Sequence, residues 1–237
     1  MTEKHLRQMP ITGEDGQRRL ERSTAAVIGL GGLGCNVITH LASAGVGNFI
    51  LADCQSPDIS NLNRQFVYSA DDIGKRKAGR STDWIRRINP ASSVKEIDTE
   101  LNDSNTDMIG DCDIIMDCLD NRRSRIAVNR YALRKNIRLV HGGVESLYGQ
   151  VSVIIPNETP CLECILPDAD AREVPSLSPM VGIIGSIQAL EAVKILSEKH
   201  SALSGKLLSI DASVNSYRVF EVMKKDGCGC CSAADLK

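Results

Sequence analysis

A glycine-rich turn between a short apolar run and a helical pattern constrains the fold of this chain more than any other segment. Residues 27–35 have the sequence VIGLGGLGC, in which Gly29, Gly31 and Gly34 follow a Gly-x-Gly-x-x-Gly spacing. This spacing is typical of a strand–turn–helix unit that places nucleotide phosphates at a helix N-terminus. Gly31 and Gly32 would let backbone N–H groups approach the phosphates, and Gly34 would let the helix pack closely. A glycine-rich corner that binds nothing is the alternative.

Strands and helices are predicted to alternate through the first part of the chain. Such alternation implies right-handed crossovers and a mainly parallel sheet. Two short helical pieces, broken at Pro10 and Gly13, are expected before the first strand. Strands are expected at 24–29, 47–53, 94–97, 112–117 and 137–142, helices at 33–45, 75–88 and 122–135, and a polar loop at 54–70.

The pattern changes after Gly143, where residues 150–155 alternate as an antiparallel strand would. A long helix at about 180–198 and strands at about 206–211 and 217–223 follow. We therefore expect an α/β fold with a Rossmann-like, doubly wound, mainly parallel sheet continued by antiparallel C-terminal strands. The prediction is one domain over 1–237, with a nucleotide-binding half at 1–145 and an antiparallel, cysteine-bearing half at 146–237.

Composition restricts the partners and the compartment. The net charge of −2 gives no strong field for nucleic acid or an anionic membrane. The N-terminus is polar, and no run of about 18 apolar residues is present to span a bilayer. We expect a soluble, cytoplasmic protein that binds neither nucleic acid nor membrane, and whose nine cysteines stay reduced.

Polar residues after the glycine turn favour a nucleotide triphosphate. Asp53 ends the second strand nineteen residues after Gly34, where an acid typically accepts hydrogen bonds from ribose hydroxyls of NAD, FAD or ATP alike. The next loop contains Arg64, whose planar fork of donors matches phosphate oxygens. Lys77 lies near a helix start, where a bound anion would offset the unfavourable helix dipole.

Two carboxylates follow the strand at 112–117. Asp117 and Asp120 lie at the carboxyl end of that strand, where ligands bind in open α/β sheets. A carboxylate facing a triphosphate is a suitable Mg²⁺ ligand. One of the two acids is equally compatible with capping the following helix.

Two Cys-x-x-Cys pairs lie far apart in the sequence. They are Cys161 with Cys164 and Cys228 with Cys231. Four thiolates bind Zn²⁺ tetrahedrally, and a set of four without an open position is structural. Redox-active dithiols or unpaired thiols are the alternative. Cys230 is a second candidate ligand, although the spacing favours Cys231.

These motifs together resemble those of the ThiF/MoeB/HesA family, the bacterial and archaeal relatives of ubiquitin-activating enzymes. The similarity covers nearly the whole chain, and the motifs follow in the family's order. They are the glycine turn, LAD at 51–53, SNLNRQF at 60–66, Gly74-x-x-Lys77, DCLDN at 117–121 and the two cysteine pairs.

The resemblance implies a homodimeric adenylyltransferase, in which a carboxylate attacks the α-phosphate of ATP and pyrophosphate leaves. Arg64, Lys77 and Asp120 are then the catalytic residues of the subunit itself. Arg7 matches an N-terminal arginine that reaches into the partner subunit's site. The implied ATP site comprises Gly29, Gly31, Gly32, Gly34, Asp53, Asn61, Arg64, Gln65, Lys77 and Asp120, with Asp120 holding Mg²⁺ and the four paired cysteines holding Zn²⁺.

One departure from the family concerns the segment before the long helix. Many relatives carry a cysteine there, whereas residues 173–179 (EVPSLSP) have none. We therefore predict adenylation without a covalent cysteine step, the acyl-adenylate passing to an external sulfur donor or another nucleophile. The expected substrate is the C-terminal Gly-Gly of a ubiquitin-like sulfur carrier, and a small-molecule or peptide carboxylate is the alternative.

Two functions of other classes remain as alternatives. An NAD- or FAD-dependent oxidoreductase accounts for the glycine turn and Asp53, but it has no need of Arg64, Lys77 or Asp120. None of the four histidines has an obvious catalytic partner in the sequence, and a structural role is expected for His141 at a strand end. A non-catalytic scaffold of the same fold is the other alternative, and the intact set of charged residues argues against it.

Overall fold

A computed structural model of the chain describes residues 3–166 and 175–231. Eight strands form one sheet in it. They are β1 Thr24–Ile28, β2 Asn48–Ala52, β3 Ser93–Ile97, β4 Ile114–Asp117, β5 Arg138–Glu145, β6 Tyr148–Ile154, β7 Lys206–Asp211 and β8 Ser216–Glu221. The helices are α1 Met9–Arg22, α2 Gly32–Ala44, α3 Lys77–Ile88, α4 Arg122–Lys135, α5 Leu162–Ile165 and α6 Ser178–Leu196.

The strand order is β3-β2-β1-β4-β5-β6-β7-β8. The pairs from β3 to β5 are parallel, and the pairs from β5 to β8 are antiparallel. This arrangement confirms the predicted mainly parallel sheet with antiparallel C-terminal strands. The chain reverses at Ser146, which has a positive φ of 56°. The division of one domain into 1–145 and 146–237 that we propose falls in this turn.

Two apolar layers cover the two faces of the sheet. Val27 belongs to a core cluster that includes residues of α2 and α6, whereas its neighbour Ile28 belongs to a second cluster that includes residues of α4. Successive residues of a strand point to opposite faces, so a strand covered on both sides is apolar throughout. This coverage on both faces explains why the central strands appear in the sequence as short, uninterrupted apolar runs.

Helix α6 is long and apolar enough, by length and composition alone, to cross a membrane. Half of it is buried inside the fold, where it packs on α2, β5 and β6. Its buried residues include Gln188 and Glu191. The contacts are those of a core helix.

Several predicted boundaries need correction. Gly13 is non-helical, with φ 76° and ψ 164°, as expected for a break in α1. Pro10 does not break the helix, because it lies in the first turn, where a missing N–H costs no hydrogen bond. The predicted loop at 54–70 contains the 3₁₀ turn Ile59–Asn61 and begins another, Ala70–Asp72. Helix α5 was not predicted, because four residues are too short for a periodic signal.

We predict opposite effects of two glycine-to-alanine substitutions. A Cβ on Gly34 would lie 2.1 Å from the carbonyl oxygen of Gly29, so Gly34→Ala should lower the free energy of unfolding by about 1–3 kcal/mol. A Cβ on Gly79 in α3 has no neighbour closer than 3.8 Å, so Gly79→Ala should raise it by about 0.5–1 kcal/mol. Urea unfolding measures both, and equal effects would contradict the packing role of Gly34.

Candidate nucleotide-binding site

A cleft of about 670 Å³ opens beside the glycine turn, at the carboxyl ends of β1, β2 and β4. Strand β1 lies between β2 and β4. The chain continues from β1 to β2 and β3 in one direction along the sheet and then returns to β4 on the other side of β1, so the strand order reverses here. Ligands of open α/β sheets bind in such a crevice. Most of the predicted ATP-site residues line it, namely Gly29, Gly31, Gly32, Asp53, Asn61, Arg64, Gln65, Lys77 and Asp120.

The glycine turn is shaped by close backbone contacts. Gly29 has φ +92°, and a Cβ there would lie 2.6 Å from the carbonyl oxygen of Cys118. Gly32 begins α2, and a Cβ there would lie 2.7 Å from Val181 Cγ1. Gly34 is not among the residues that line the cleft, and it packs against the turn instead. The open N-terminus of α2 therefore presents backbone N–H groups at the cleft.

Asp53 holds the glycine turn against the end of β2. Its Oδ2 accepts a hydrogen bond of 2.8 Å from the N–H of Leu30, and its Oδ1 accepts one of 2.8 Å from the N–H of Gln55. A carboxylate oxygen can accept more than one hydrogen bond, so both oxygens of Asp53 can still accept one from a ligand hydroxyl. Asp53 is therefore both a brace of the turn and a candidate ribose ligand.

Lys77 is a buried cation on the cleft wall. The residue is 2% exposed, and its Nζ donates a 2.8 Å hydrogen bond to Gln55 Oε1. No carboxylate forms an ion pair with it in the described ranges. A buried charge is costly unless it is paired, so an ammonium bonded to a neutral amide is suited to an anionic ligand.

Two further side chains of the loop leave polar atoms available to a ligand. The half-buried Arg64 donates from Nη1 to Ser60 O at 3.1 Å and to Asn63 Oδ1 at 2.8 Å, both neutral acceptors. Gln65 is 4% exposed, and its Oε1 lacks a hydrogen-bond partner within the part of the chain described. The side-chain oxygen of Asn61 already has a hydrogen bond, because its Oδ1 accepts one from the N–H of Asp58 at 3.2 Å.

The two predicted acids after β4 have different surroundings. Asp120 is exposed on the cleft wall. Asp117 is completely buried, and its Oδ2 lies 2.7 Å from Nδ1 of His141. The cap of α4 is neither acid but Asn121, whose Oδ1 accepts a 2.8 Å hydrogen bond from Ser124 N–H. Asp120 is therefore the candidate Mg²⁺ ligand.

The pairing of His141 with an acid was missed from the sequence. Asp117 and His141 are direct register partners on β4 and β5, which only the strand pairing reveals. Burial raises the pKa of Asp117, but the Arg125 guanidinium and the His141 hydrogen bond outweigh it and hold the pKa below its usual value. Burial and then the Arg125 charge lower the pKa of His141. Arg125 itself lines the cleft and was also not predicted.

Arg7 lies apart from the other predicted residues. It is exposed in the turn before α1 and is not among the residues that line the cleft. Its expected role toward a partner subunit stays a prediction.

The four paired cysteines converge on the opposite side of the sheet from α6. Their sulfur atoms all lie within 4.8 Å of one another. The Sγ atoms of Cys161 and Cys228 are 3.7 Å apart, and those of Cys164 and Cys231 are 3.6 Å apart. Sulfurs bound tetrahedrally at about 2.3 Å from Zn²⁺ would lie about 3.8 Å apart, so the donor set fits zinc. Buried Cys230 is outside this set of four.

Comparison with known proteins places the chain in a family. The model of the ThiF family matches residues 3–231, and the chain belongs to that family. It is 35% identical over 224 residues to the molybdopterin-synthase adenylyltransferase of Escherichia coli, covering 92% of this chain and 90% of that protein. It is 33% identical over 231 residues to the SAMP-activating enzyme E1 of Haloferax volcanii, covering 94% and 85%.

A solved structure has the same fold. It is the crystal structure of E. coli MccB with ATP, with a TM-score of 0.88 and 22% sequence identity. The match covers 98% of this chain and 74% of that chain.

We predict that Cys164→Ser and Cys230→Ser differ in metal content. The wild-type protein should hold about one zinc ion per chain, because four thiolates complete a tetrahedral site. Cys164→Ser should lose the metal and unfold at a lower temperature, whereas Cys230→Ser should keep it. Plasma mass spectrometry of purified protein and thermal unfolding measure this. Metal-free wild-type protein, or metal loss in Cys230→Ser alone, would contradict the assignment.

Proposed function

We propose that this chain is an ATP-dependent adenylyltransferase. It binds ATP in the cleft and joins a carboxylate to the α-phosphate, so that an acyl-adenylate forms and pyrophosphate leaves. The observation that carries the proposal is the buried Lys77 ammonium, whose hydrogen-bond partner is the neutral Gln55 side chain. The adenylyltransferase names of its relatives support the same reaction.

The cleft is suited to a reaction between two anions. A carboxylate is already deprotonated at neutral pH, so the enzyme has to neutralise charge and align the reactants rather than supply a strong base. We assign Lys77 and Arg64 to the triphosphate and Asp53 to the ribose. Gly29, Gly31 and Gly32 give the phosphates access to backbone N–H groups at the start of α2. Asn61 and Gln65 supply further polar contacts to the nucleotide.

We assign Asp120 as the residue that would hold Mg²⁺. It is the exposed acid on the cleft wall after β4, and carboxylates with substrate phosphates are the usual Mg²⁺ ligands. The ion, when bound, neutralises charge on the phosphates and the departing pyrophosphate. We likewise assign Zn²⁺ to the four paired cysteines as a structural ion.

The proposed substrate is the C-terminal carboxylate of a ubiquitin-like sulfur carrier. The names of two relatives, a molybdopterin-synthase adenylyltransferase and a SAMP-activating enzyme, support it. A small-molecule or peptide carboxylate is the alternative.

The segment without cysteine lies partly outside the described residues, at 173 and 174. We propose that the adenylate passes to an external sulfur donor or nucleophile, and that the enzyme is a cytoplasmic homodimer.

An oxidoreductase finds less support in the cleft. The Asp117–His141 pair adjoins the cleft, but both side chains are 0% exposed. A buried pair closed from the cleft does not reach a substrate. A dinucleotide also has less need than a triphosphate of Lys77 and Arg64, which form no ion pair within the described ranges of the chain.

We predict that Lys77→Met abolishes most ATP–pyrophosphate exchange. Loss of the buried ammonium should lower the exchange rate about 100-fold or more, since removing one preorganised donor to developing charge has that effect. Lys75→Met is the matched control, because Lys75 is exposed and forms an ion pair with Asp72 at 3.6 Å. The assay uses radiolabelled pyrophosphate and candidate carrier proteins. Equal rates in both variants would contradict the phosphate site.

We predict that Arg7→Ala lowers exchange and that a second variant complements it. An arginine supplied in trans to a transferring phosphoryl group contributes roughly 10³–10⁵ in rate. Mixed dimers of Arg7→Ala and Lys77→Met subunits contain one site with both residues intact, so the mixture should exceed either variant alone. Arg18→Ala, on an exposed arginine of α1, is the control. A mixture no better than its components would contradict a role across the interface.

A further inference from the structure

A chain of polar side chains, of which Asp117 and His141 are completely buried and Gln150 is half-buried, lies under the cleft and takes no direct part in the proposed chemistry. Asp117 on β4 bonds to Nδ1 of His141 on β5 at 2.7 Å. Nε2 of His141 lies 3.0 Å from Nε2 of Gln150 on β6. Since an amide nitrogen only donates, Nε2 of the imidazole accepts and Nδ1–H donates to the carboxylate. The hydrogen bonds therefore define a neutral histidine in one tautomer.

The register of the sheet brings these three residues together. Asp117 and His141 are direct partners, and Gln150 pairs with Gly143, two residues beyond His141. Residues two apart on a strand share a face, so all three lie on the side of the sheet that α4 covers. Helix α4 contributes Arg125 to this layer.

Arg125 rests on the ring of His141. Its Nη1 lies 3.4 Å from both Nδ1 and Nε2 of the imidazole. An approach in the ring plane at equal distance would collide with the ring carbon between the two nitrogens, so the guanidinium lies over the ring face. Arginine stacks favourably on such planar faces. The Asp117 carboxylate, with Oδ1 3.9 Å from Nε of Arg125, balances the charge.

The same guanidinium fixes the backbone that leads to Asp120. Nε of Arg125 donates to the carbonyl oxygen of Leu119 at 3.0 Å, and Nη2 donates to the same oxygen and to Gly142 O. The N–H of Leu119 donates to Asp117 Oδ1 at 3.2 Å. The backbone N–H and C=O of Leu119 are therefore both hydrogen-bonded, the carbonyl to the arginine and the N–H to the acid. The residue that follows is the exposed Asp120 of the cleft wall.

We propose that His141 is a positioning residue, which supports Arg125 so that the Leu119 backbone holds Asp120 toward the metal of a bound nucleotide. The inference rests on the proposed function, because it assumes that Asp120 has to point toward a nucleotide-bound metal ion. His141 itself touches no reactant. It acts through Arg125, which ties the turn after β4 to β5 through Leu119 O and Gly142 O.

The test separates metal-dependent from metal-independent nucleotide binding. The probe is a non-hydrolysable ATP analogue, titrated by calorimetry into the full chain with Mg²⁺ and with EDTA. His141→Asn keeps a donor for Asp117 but removes the ring face under Arg125. The Mg²⁺-dependent gain in affinity should fall about tenfold or more, as for other residues that orient a metal ligand, while binding in EDTA stays within about twofold of wild type.

Two further variants make the result interpretable. Arg125→Lys keeps the charge but lacks the planar guanidinium that stacks on His141 and donates to Leu119 O from both Nε and Nη2, so it should show the same selective loss even if His141→Asn fails to fold. Glu191→Gln is the matched control, because Glu191 of α6 is 4% exposed and accepts a 2.6 Å hydrogen bond from Oγ of Ser201, which follows that helix. It should lower the unfolding temperature without changing the Mg²⁺ dependence.

The outcomes distinguish this inference from the proposed function. Wild-type protein that binds no nucleotide would overturn the proposed function and the inference that rests on it. Wild-type binding with an unchanged Mg²⁺ dependence in the folded variants would overturn the positioning role alone. Equal losses with Mg²⁺ and with EDTA would also overturn it, because they would indicate general damage to the cleft.

Discussion

The structure depends on a close contact between backbones where the first strand turns into its helix. Gly34 packs on the carbonyl of Gly29, and Gly29 packs on the carbonyl of Cys118 after β4. No side chain fits into either contact. The contacts bring the start of α2, the end of β1 and the turn after β4 within reach of one ligand. The positions of Asp53 and Asp120 around the cleft follow from this packing.

Charge at the cleft is arranged in two layers. The outer layer has groups with unused capacity, including the Lys77 ammonium and the Gln65 side-chain oxygen, which has no hydrogen-bond partner among the residues described. The inner layer consists of Asp117 and His141, which are completely buried, and of Arg125, which is half-buried, and these three side chains bond to one another and to nearby backbone. An unsatisfied buried group is costly unless a ligand completes it, whereas a satisfied network gives rigidity. The first layer is thus suited to binding and the second to support.

Much of the fold and of the cleft could be predicted from local sequence. The apolar runs, the glycine spacing and the Cys-x-x-Cys pairs each arise within a few residues. They predicted the mainly parallel sheet and the four-cysteine cluster, but not the order of the strands. The Asp117–His141 pair could not be predicted, because it depends on which strands are neighbours and in what register. Arg125 was missed for a different reason, because an arginine in a helix usually faces water and nothing in the local sequence marks this one as an exception. Pro10 was misjudged because its cost depends on its place in the helix.

Among the strands that the structure describes, β5 alone pairs with a parallel neighbour on one edge and an antiparallel neighbour on the other. A relative rotation of the two halves would have to break ladder hydrogen bonds along this seam. Hinge closure usually occurs at loops or element ends. The turn at Ser146 joins the two halves, but β5 and β6 on either side of it stay paired over seven register positions, which holds the halves in one sheet. We therefore expect the cleft to keep its shape through turnover, with rearrangement confined to the loops at its rim.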